Sequence, residues 1–503
     1  MPSSAPLLRP PPTKLATELL RCVAVGGIIA VIYLFAQLAV GSDLTVALLF
    51  AGGVFAGVAS IIIGGGIRSM MGLLNFSLVL KYPLLSLAIK VILLQPSDTG
   101  LAAPLITPLV LCLSFVGIFA GTLGVRIFLG KKMPLCMPVT DPNVLLRLYW
   151  LTFVVAFVGF LLSLTSMGQD VGGEFRVGGL LGFARYVLFL RDFLVAVGLF
   201  YAHYSHSRRF LTHPLVVLAF GLAVVASIGT GSKGALMNPI LYTGLTAFIL
   251  KGGRYIPFYV IGILGWFVLN QLIFPAINYT RTDLFVRPAE AGSSGDAGLY
   301  LAVFKEMLLD PNFRAEAKYA ATSHYQENKY FNSEELGALA RFALVGNADN
   351  LIAPTYVRSD YLGWETILWG IRMLPPRFLY KNKPTYDSSL LLSINSDMAS
   401  SGSSGTPMAF GFFACSFNAF GLFWTLPTVA LVIFGFYAWA VLFFGNPWNA
   451  NVWLIFVVGF WHQSLCEYAI SGLIAGLWYA VIAWVLYRAA LIGMGAGGKS
   501  GRR

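Results

Sequence analysis

Charge is what this sequence has least of. Asp, Glu, Lys and Arg make up 11% of its 503 residues, where soluble domains carry about 25%. Set beside 57% hydrophobic residues, that scarcity excludes an ordinary soluble globular chain. Cysteine is sparse as well. The five (Cys22, Cys112, Cys136, Cys415 and Cys466) are scattered, odd in number and without C-x-x-C spacing, which reads as apolar packing rather than a disulfide framework. A Cys415–Cys466 bridge on one side of the membrane is the single pairing left open. Alternating segments of about ten residues, the mark of a membrane barrel, are missing, and so is any repeat of period 20 to 50. The Pro-rich start MPSSAPLLRPPPTKLATELLR has no small-residue cleavage site after an apolar core, so no removable signal peptide is expected.

What the chain does have is long apolar runs. About twelve segments approach or exceed the roughly 20 residues that cross a bilayer: 20–41, 45–65, 70–95, 104–125, 148–167, 179–202, 214–231, 234–251, 256–278, 421–445, 450–463 and 469–490. Only helices and closed barrels satisfy their backbone in lipid, so the expected fold is all-α and polytopic. The predicted division is a tail (1–19), nine spans within 20–278, one large loop (279–420), three spans within 421–490 and a second tail (491–503). With an even count, both termini share a side. That side collects about 16 Lys and Arg, in the tails and in VRIFLGKKMPLCMPVTDPNVLLR, HSRRF and KGGR, whereas short loops on the other hold about two, Arg176 and Lys233. The positive-inside rule then places both ends in the cytoplasm. It also accounts for the net charge of +12 without nucleic acid.

The same alternation puts residues 279–420 outside. The stretch has its own helical signals. NSEELGALARFALVG opens with Asn332 and Glu335 in capping register, GDAGLYLAVFKEMLLDP closes at Pro311, and YLGWETILWGIRM sets Trp364, Ile367, Leu368 and Ile371 on one face, as an interfacial helix would. SSGSSGTP is a turn before the chain re-enters the bilayer.

Cations stand out against so apolar a background. In PPRFLYKNKP, Arg377, Lys381 and Lys383 are boxed in by Pro375, Pro376 and Pro384, which stiffen the backbone around them. Such a loop at headgroup depth suits a diphosphate, gripped through paired guanidinium bonds and an ammonium point charge. It equally suits ordinary anionic headgroups, at about 1 kcal/mol per cation. GTGSKGA holds Lys233 in a Gly-rich turn whose N–H groups can face a phosphate. Arg281 and Arg287 emerge just above a span. Lys81, Arg185 and Arg191, with Asp192 beside the last, lie within spans, where each charge costs about 2.5–3.5 kcal/mol and must face a polar interior or pair. Arg185 is nearest the outer mouth. No external carboxylate pair has metal-ligand spacing, so no metal site is expected.

ARFALVGNADN, YLGWETILWG, LPPRFLYKNKP and GTPMAFGFFACSFNAFGLFW, in that order, resemble the Wzy-type O-antigen and exopolysaccharide polymerases of bacteria. Those show an Arg-led helix, a Tyr-x-Gly turn, a Pro-Arg-aromatic-x-x-Lys-Pro segment and an aromatic-rich Asn-x-x-Gly re-entry. GTGSKG is similar to their Gly-Ser-Arg-Gly turn, with Lys233 where arginine is usual. The resemblance is strongest over residues 341–421; elsewhere it rests on topology.

The resemblance implies a GT-C-like membrane glycosyltransferase of the inner membrane, needing no cofactor, that joins undecaprenyl-diphosphate-linked oligosaccharides at the periplasmic face. A chain-length-regulating membrane protein is an expected partner. Carried over residue by residue, the basic set is Lys233, Arg341, Arg377 and Lys383; position adds Arg281 and Arg185 as diphosphate contacts. Arg377 and Arg341 are the expected catalytic cations, with His462 and Glu467 beside them. The acceptor hydroxyl's base is open among Asp360, Glu365, His462 and Glu467. Two other readings remain. An O-antigen ligase shares the fold, although His462-Gln463 meets Gly472 one residue short of the ligase spacing. A lipid-linked glycan transporter would show two similar halves, which the sequence lacks.

Overall fold

The computed structural model describes residues 15–67, 69–129, 141–166, 190–229, 233–251, 343–373 and 410–444, with isolated positions among 305–331, 380–396 and 474–490. Among them the secondary structure is helical, without strands. Six helices are long and apolar enough to cross a membrane: Leu15–Ala39 (α1), Leu44–Ile63 (α2), Met71–Ile92 (α3), Ile106–Leu129 (α4), Pro142–Leu162 within Pro142–Ser166 (α5), and Phe412–Val441 within a longer helix. The protein is therefore membrane-embedded. Shorter helices follow α5: Leu190–Tyr204 (α6), Pro214–Gly229 (α7), Lys233–Lys251 (α8), Val345–Arg358 (α9) and Glu365–Met373 (α10), before Phe412–Phe444 (α11). The expected segments 256–278, 450–463 and most of 469–490 lie outside the described residues.

Local chemistry sets the helix starts. Asp43 caps α2 by accepting from Thr45 N and Val46 N at 2.8 and 3.2 Å, and Ser69 caps α3 by accepting from Gly72 N at 3.0 Å. These bonds satisfy amides that a helix start otherwise leaves unpaired. α6 is buried on every face from Leu190 to Phe200, as expected of a helix at the centre of a bundle, and it packs against α5, α7 and α8.

α4 and α11 run parallel, side by side. A Cβ at Gly117 would meet Leu426 O at 2.9 Å, one at Gly121 would meet Ala430 O at 2.7 Å, and one at Gly124 would meet the Phe434 ring at 3.1 Å. Gly117-x-x-x-Gly121 is the small-residue spacing that lets two membrane helices approach backbone to backbone. Polar side chains tie the contact. Asn75 of α3 donates to Ser60 O (3.0 Å) and Thr122 Oγ1 (3.1 Å) and accepts from the Tyr437 hydroxyl (2.6 Å). One buried amide thus joins α2, α3, α4 and α11.

Two helix boundaries differ from the sequence reading. Of the expected helix from Asn332 to Gly346, residues 332–342 lie outside the described residues; Ala343 and Leu344 are non-helical, and α9 begins at Val345. α11 begins nine residues before the expected span, at Phe412, and bends at Gly421 (φ 75°, ψ −177°), a backbone region open only to glycine. The bend makes a short arm, 412–420, ahead of the long one. Cys415 is a free, buried thiol, and Cys466, with which a bridge was left open, lies outside the described residues.

Candidate functional site at one end of the bundle

The loops that the sequence assigns to the outside lie together. Ser97 donates through N and Oγ to Ser42 Oγ at 2.8 and 3.0 Å, joining the α1–α2 and α3–α4 connections. Lys90, fully buried near the end of α3, donates to Thr99 O and Oγ1 at 2.7 and 3.0 Å and lies 4.4 Å from the Tyr330 ring centre. That cation–π contact staples the large loop to the bundle. Burial, with Asp349 and Asp98 nearby, pushes the Tyr330 hydroxyl's pKa up, and its oxygen has no hydrogen-bond partner.

Asp349 of α9 makes a second attachment. Its carboxylate accepts from Ala102 N (2.6 Å), Ala103 N (3.2 Å) and the Thr107 hydroxyl (2.6 Å), where α4 starts. Burial raises the carboxyl's pKa more than these three bonds lower it, as desolvation of a charge does. Neither Lys90 nor Asp349 is evident as a site residue in sequence. Lys90 carries one signal, a cation inside an apolar run; Asp349 carries none.

The segments bearing the motifs are hydrogen-bonded to one another. Leu362 N donates to Asn418 O at 3.0 Å and Gly363 N to Ala419 O at 2.8 Å, so the Tyr361-x-Gly363 turn pairs with the Asn418-x-x-Gly421 re-entry. Asn418 Nδ2 also donates to Thr355 Oγ1 of α9 at 2.8 Å, and its Oδ1 is buried without a partner. A Cβ on Gly421 would stand 3.2 Å from the Tyr361 ring. Deeper in the bundle, α9 and the short arm of α11 start close together against one point of α3. Leu344 N donates to Lys81 O at 3.0 Å, and the rings of Tyr82 and Phe413 lie 4.6 Å apart.

Of the residues expected to act, Lys233 opens α8, four residues beyond the end of α7. Asp360 and Glu365 are exposed, and Glu365 pairs with Arg372 at 3.4 Å. Arg191 and Asp192 are buried, with Nε and Oδ1 3.7 Å apart. Arg185, Arg281, Arg341, Arg377, Lys383, His462 and Glu467 lie outside the described residues, as do Arg287 and Lys381. Among the described residues, no group of three His, Cys, Asp or Glu side chains is arranged to hold a metal.

No family model, curated protein or solved structure matches this chain.

Proposed function

We propose that this protein is a membrane glycosyltransferase that polymerises oligosaccharide repeat units carried on undecaprenyl diphosphate, building O-antigen or exopolysaccharide. It works at the periplasmic face of the bacterial inner membrane, with about twelve spans and both termini cytoplasmic. The observation that carries this reading is the joining of the motif segments. The Asn418-x-x-Gly421 segment is distant in sequence from α9 and the adjoining Tyr361-x-Gly363 turn, yet it bonds to both, while α9 and Leu344 just before it bond to the start of α4 and the middle of α3. Residues 343–373 and 410–421 are thereby tied to one another and to the bundle, as the resemblance requires of the part that meets substrate.

The chemistry suits a basic site. An acceptor hydroxyl oxygen attacks the anomeric carbon of the donor, the bond from that carbon to the diphosphate oxygen breaks, and the hydroxyl proton leaves to a base or to solvent. The departing diphosphate is already anionic and needs charge stabilisation more than an acid, which fixed cations in a water-poor site supply. Arg377 and Arg341 take that role, with Lys233, Lys383, Arg281 and Arg185 binding the diphosphate.

The test is product length in liposomes that hold purified protein and lipid-linked oligosaccharide. Arg377→Ala is expected to abolish extension at unchanged protein level, and Arg377→Lys to fail as well, because an ammonium cannot reproduce paired guanidinium bonds. Polymer of normal length from Arg377→Ala, or transbilayer movement of substrate without extension by the wild type, overturns the reading.

A further inference from the structure

α10 turns an apolar face outward. Trp364, just before the helix, is 68% exposed, and Leu368 and Ile371 within it are exposed too, whereas Thr366 is buried and Ile367 packs on the core. Positions 364, 368 and 371 follow i, i+4, i+7 spacing and so form one stripe. Glu365 and Arg372 stand beside it, both exposed and paired with each other at 3.4 Å. A stripe of this kind costs free energy against water and marks contact with something apolar.

The stripe continues past α10. The Trp364 ring meets Phe420 edge to face at 5.2 Å, and the exposed Tyr361 ring lies over Gly421, 3.2 Å from where a Cβ would stand. Directly beyond that bend Phe423 is 83% exposed, with its ring 5.5 Å from that of the exposed Trp424, and Leu431 is exposed further on. The other side of α11, with Val429, Ile433 and Tyr437, is buried in the bundle. Because α11 is long and apolar enough to cross a membrane, its open apolar side faces lipid. Residues 422–444 alone measure about 34 Å at about 1.5 Å per residue, more than the roughly 30 Å of the hydrocarbon core. The bend at Gly421 therefore lies toward one face of the membrane, the level at which Tyr and Trp collect. Two bonds, Leu362 N to Asn418 O and Gly363 N to Ala419 O, hold the start of α10 against this bend.

We infer that this surface docks on the bilayer. α10 lies in the boundary between headgroups and acyl chains, with its stripe against lipid and its Glu365–Arg372 edge among the headgroups, as amphipathic interfacial helices do. A second copy of the chain is the rival occupant. Lipid is favoured because the stripe runs without a break into the side of α11 that already faces it, and because the flanking charges close on each other. The inference goes beyond the reaction proposed above and does not depend on it. It makes the Tyr361-x-Gly363 turn a segment held at the lipid boundary rather than one standing free in water.

The test uses full-length protein in nanodiscs of phosphatidylethanolamine and phosphatidylglycerol. Benzoylphenylalanine replaces Leu368, Ile371, Leu431 or Asp360 one at a time, and adducts formed on illumination are identified by mass spectrometry. All four side chains are exposed, so no packing is lost. Leu368→benzoylphenylalanine and Ile371→benzoylphenylalanine are expected to give phospholipid adducts in yield comparable to that at Leu431, and the Asp360 position to lose them. In the wild type, a phospholipid carrying a diazirine next to its glycerol is expected to label the peptide that contains α10. This second measurement needs no substitution. Adducts at Leu431 with none at either α10 position, and no labelling of the wild-type peptide, overturn the inference. Adducts at Leu368 and Ile371 to a second copy of the chain in place of lipid would show a subunit interface and overturn it equally. Neither result bears on the polymerase reading, which product length decides.

Discussion

At the scale of single residues, the positions that organise this end of the molecule are buried polar groups with several partners. Asp349 is the clearest, a carboxylate held by two backbone amides and a hydroxyl of α4. Its folded pKa is raised, with burial the largest cause. A carboxyl raised on folding contributes most to stability below its unfolded pKa, about 3.9, and that contribution is lost as pH rises through the folded value. Asp349→Asn is therefore expected to flatten the fall in melting temperature between acid and neutral pH, measured in detergent. The same substitution leaves an amide N–H₂ group facing donors, so it should also lower stability at low pH, by about 1–3 kcal/mol. A wild type whose melting temperature rises steadily over that range, with Asp349→Asn unchanged from it, would contradict this account. Sequence reasoning found the buried charges Lys81 and Arg191–Asp192 because a cation or carboxylate in an apolar run is visible without a structure. It passed over Asp349 and Asn75, since nothing in the sequence around either names Thr107, Thr122 or Tyr437 as its partner.

At the scale of elements, the parallel contact of α4 with α11 depends on the absence of side chains. Gly121→Val would drive a branched side chain into Ala430 O and Ile433. Overpacking of this kind costs about 1–3 kcal/mol, and here it separates two helices along the whole seam. The expected outcome is a lowered melting temperature in detergent and reduced membrane accumulation. Gly435, which has open space around it, is the control, and Gly435→Ala should behave as wild type. Equal stability of Gly121→Val and Gly435→Ala would show that the seam does not hold the helices. The helix boundaries of α2, α4, α7 and α8 were legible from hydropathy to within a few residues. α9 was not. Asn347, Asp349, Asn350 and Pro354 dilute its apolar pattern, and it is stabilised by the bundle it inserts into rather than by its own periodicity.

At the scale of the whole molecule, loops distant in sequence sort to two ends. Ser42, Ser97, Ala102 and Asp349 meet at one. At the other, Arg126 donates to Ile63 O at 3.0 Å and pairs with Glu18, and Lys251 lies over the Phe210 ring at 5.3 Å. The positive-inside rule gives these ends opposite sides. Thr45 and Arg209 are both exposed, one near each end. Thr45→Cys is expected to react with an impermeant maleimide in intact spheroplasts, and Arg209→Cys only after permeabilisation. The reverse pattern would invert the topology and remove the external site on which the proposed reaction depends.

Composition and hydropathy were enough to establish a helical membrane protein, because a run of apolar residues long enough to cross lipid has few alternatives. The same residues supplied a list of conspicuous cations and an order of motifs. They left open that the Tyr361-x-Gly363 turn pairs with Asn418 and Ala419, that α9 and the short arm of α11 start against a π-helical turn around Lys81, and that Asp349 and Lys90 fasten the connections at one end of the bundle. Each of these is a contact between segments separated by anything from 9 to 331 positions, and periodicity carries information only about neighbours on one element. Tertiary packing decided them, since a buried polar group in a bundle takes whichever partner the neighbouring helices present.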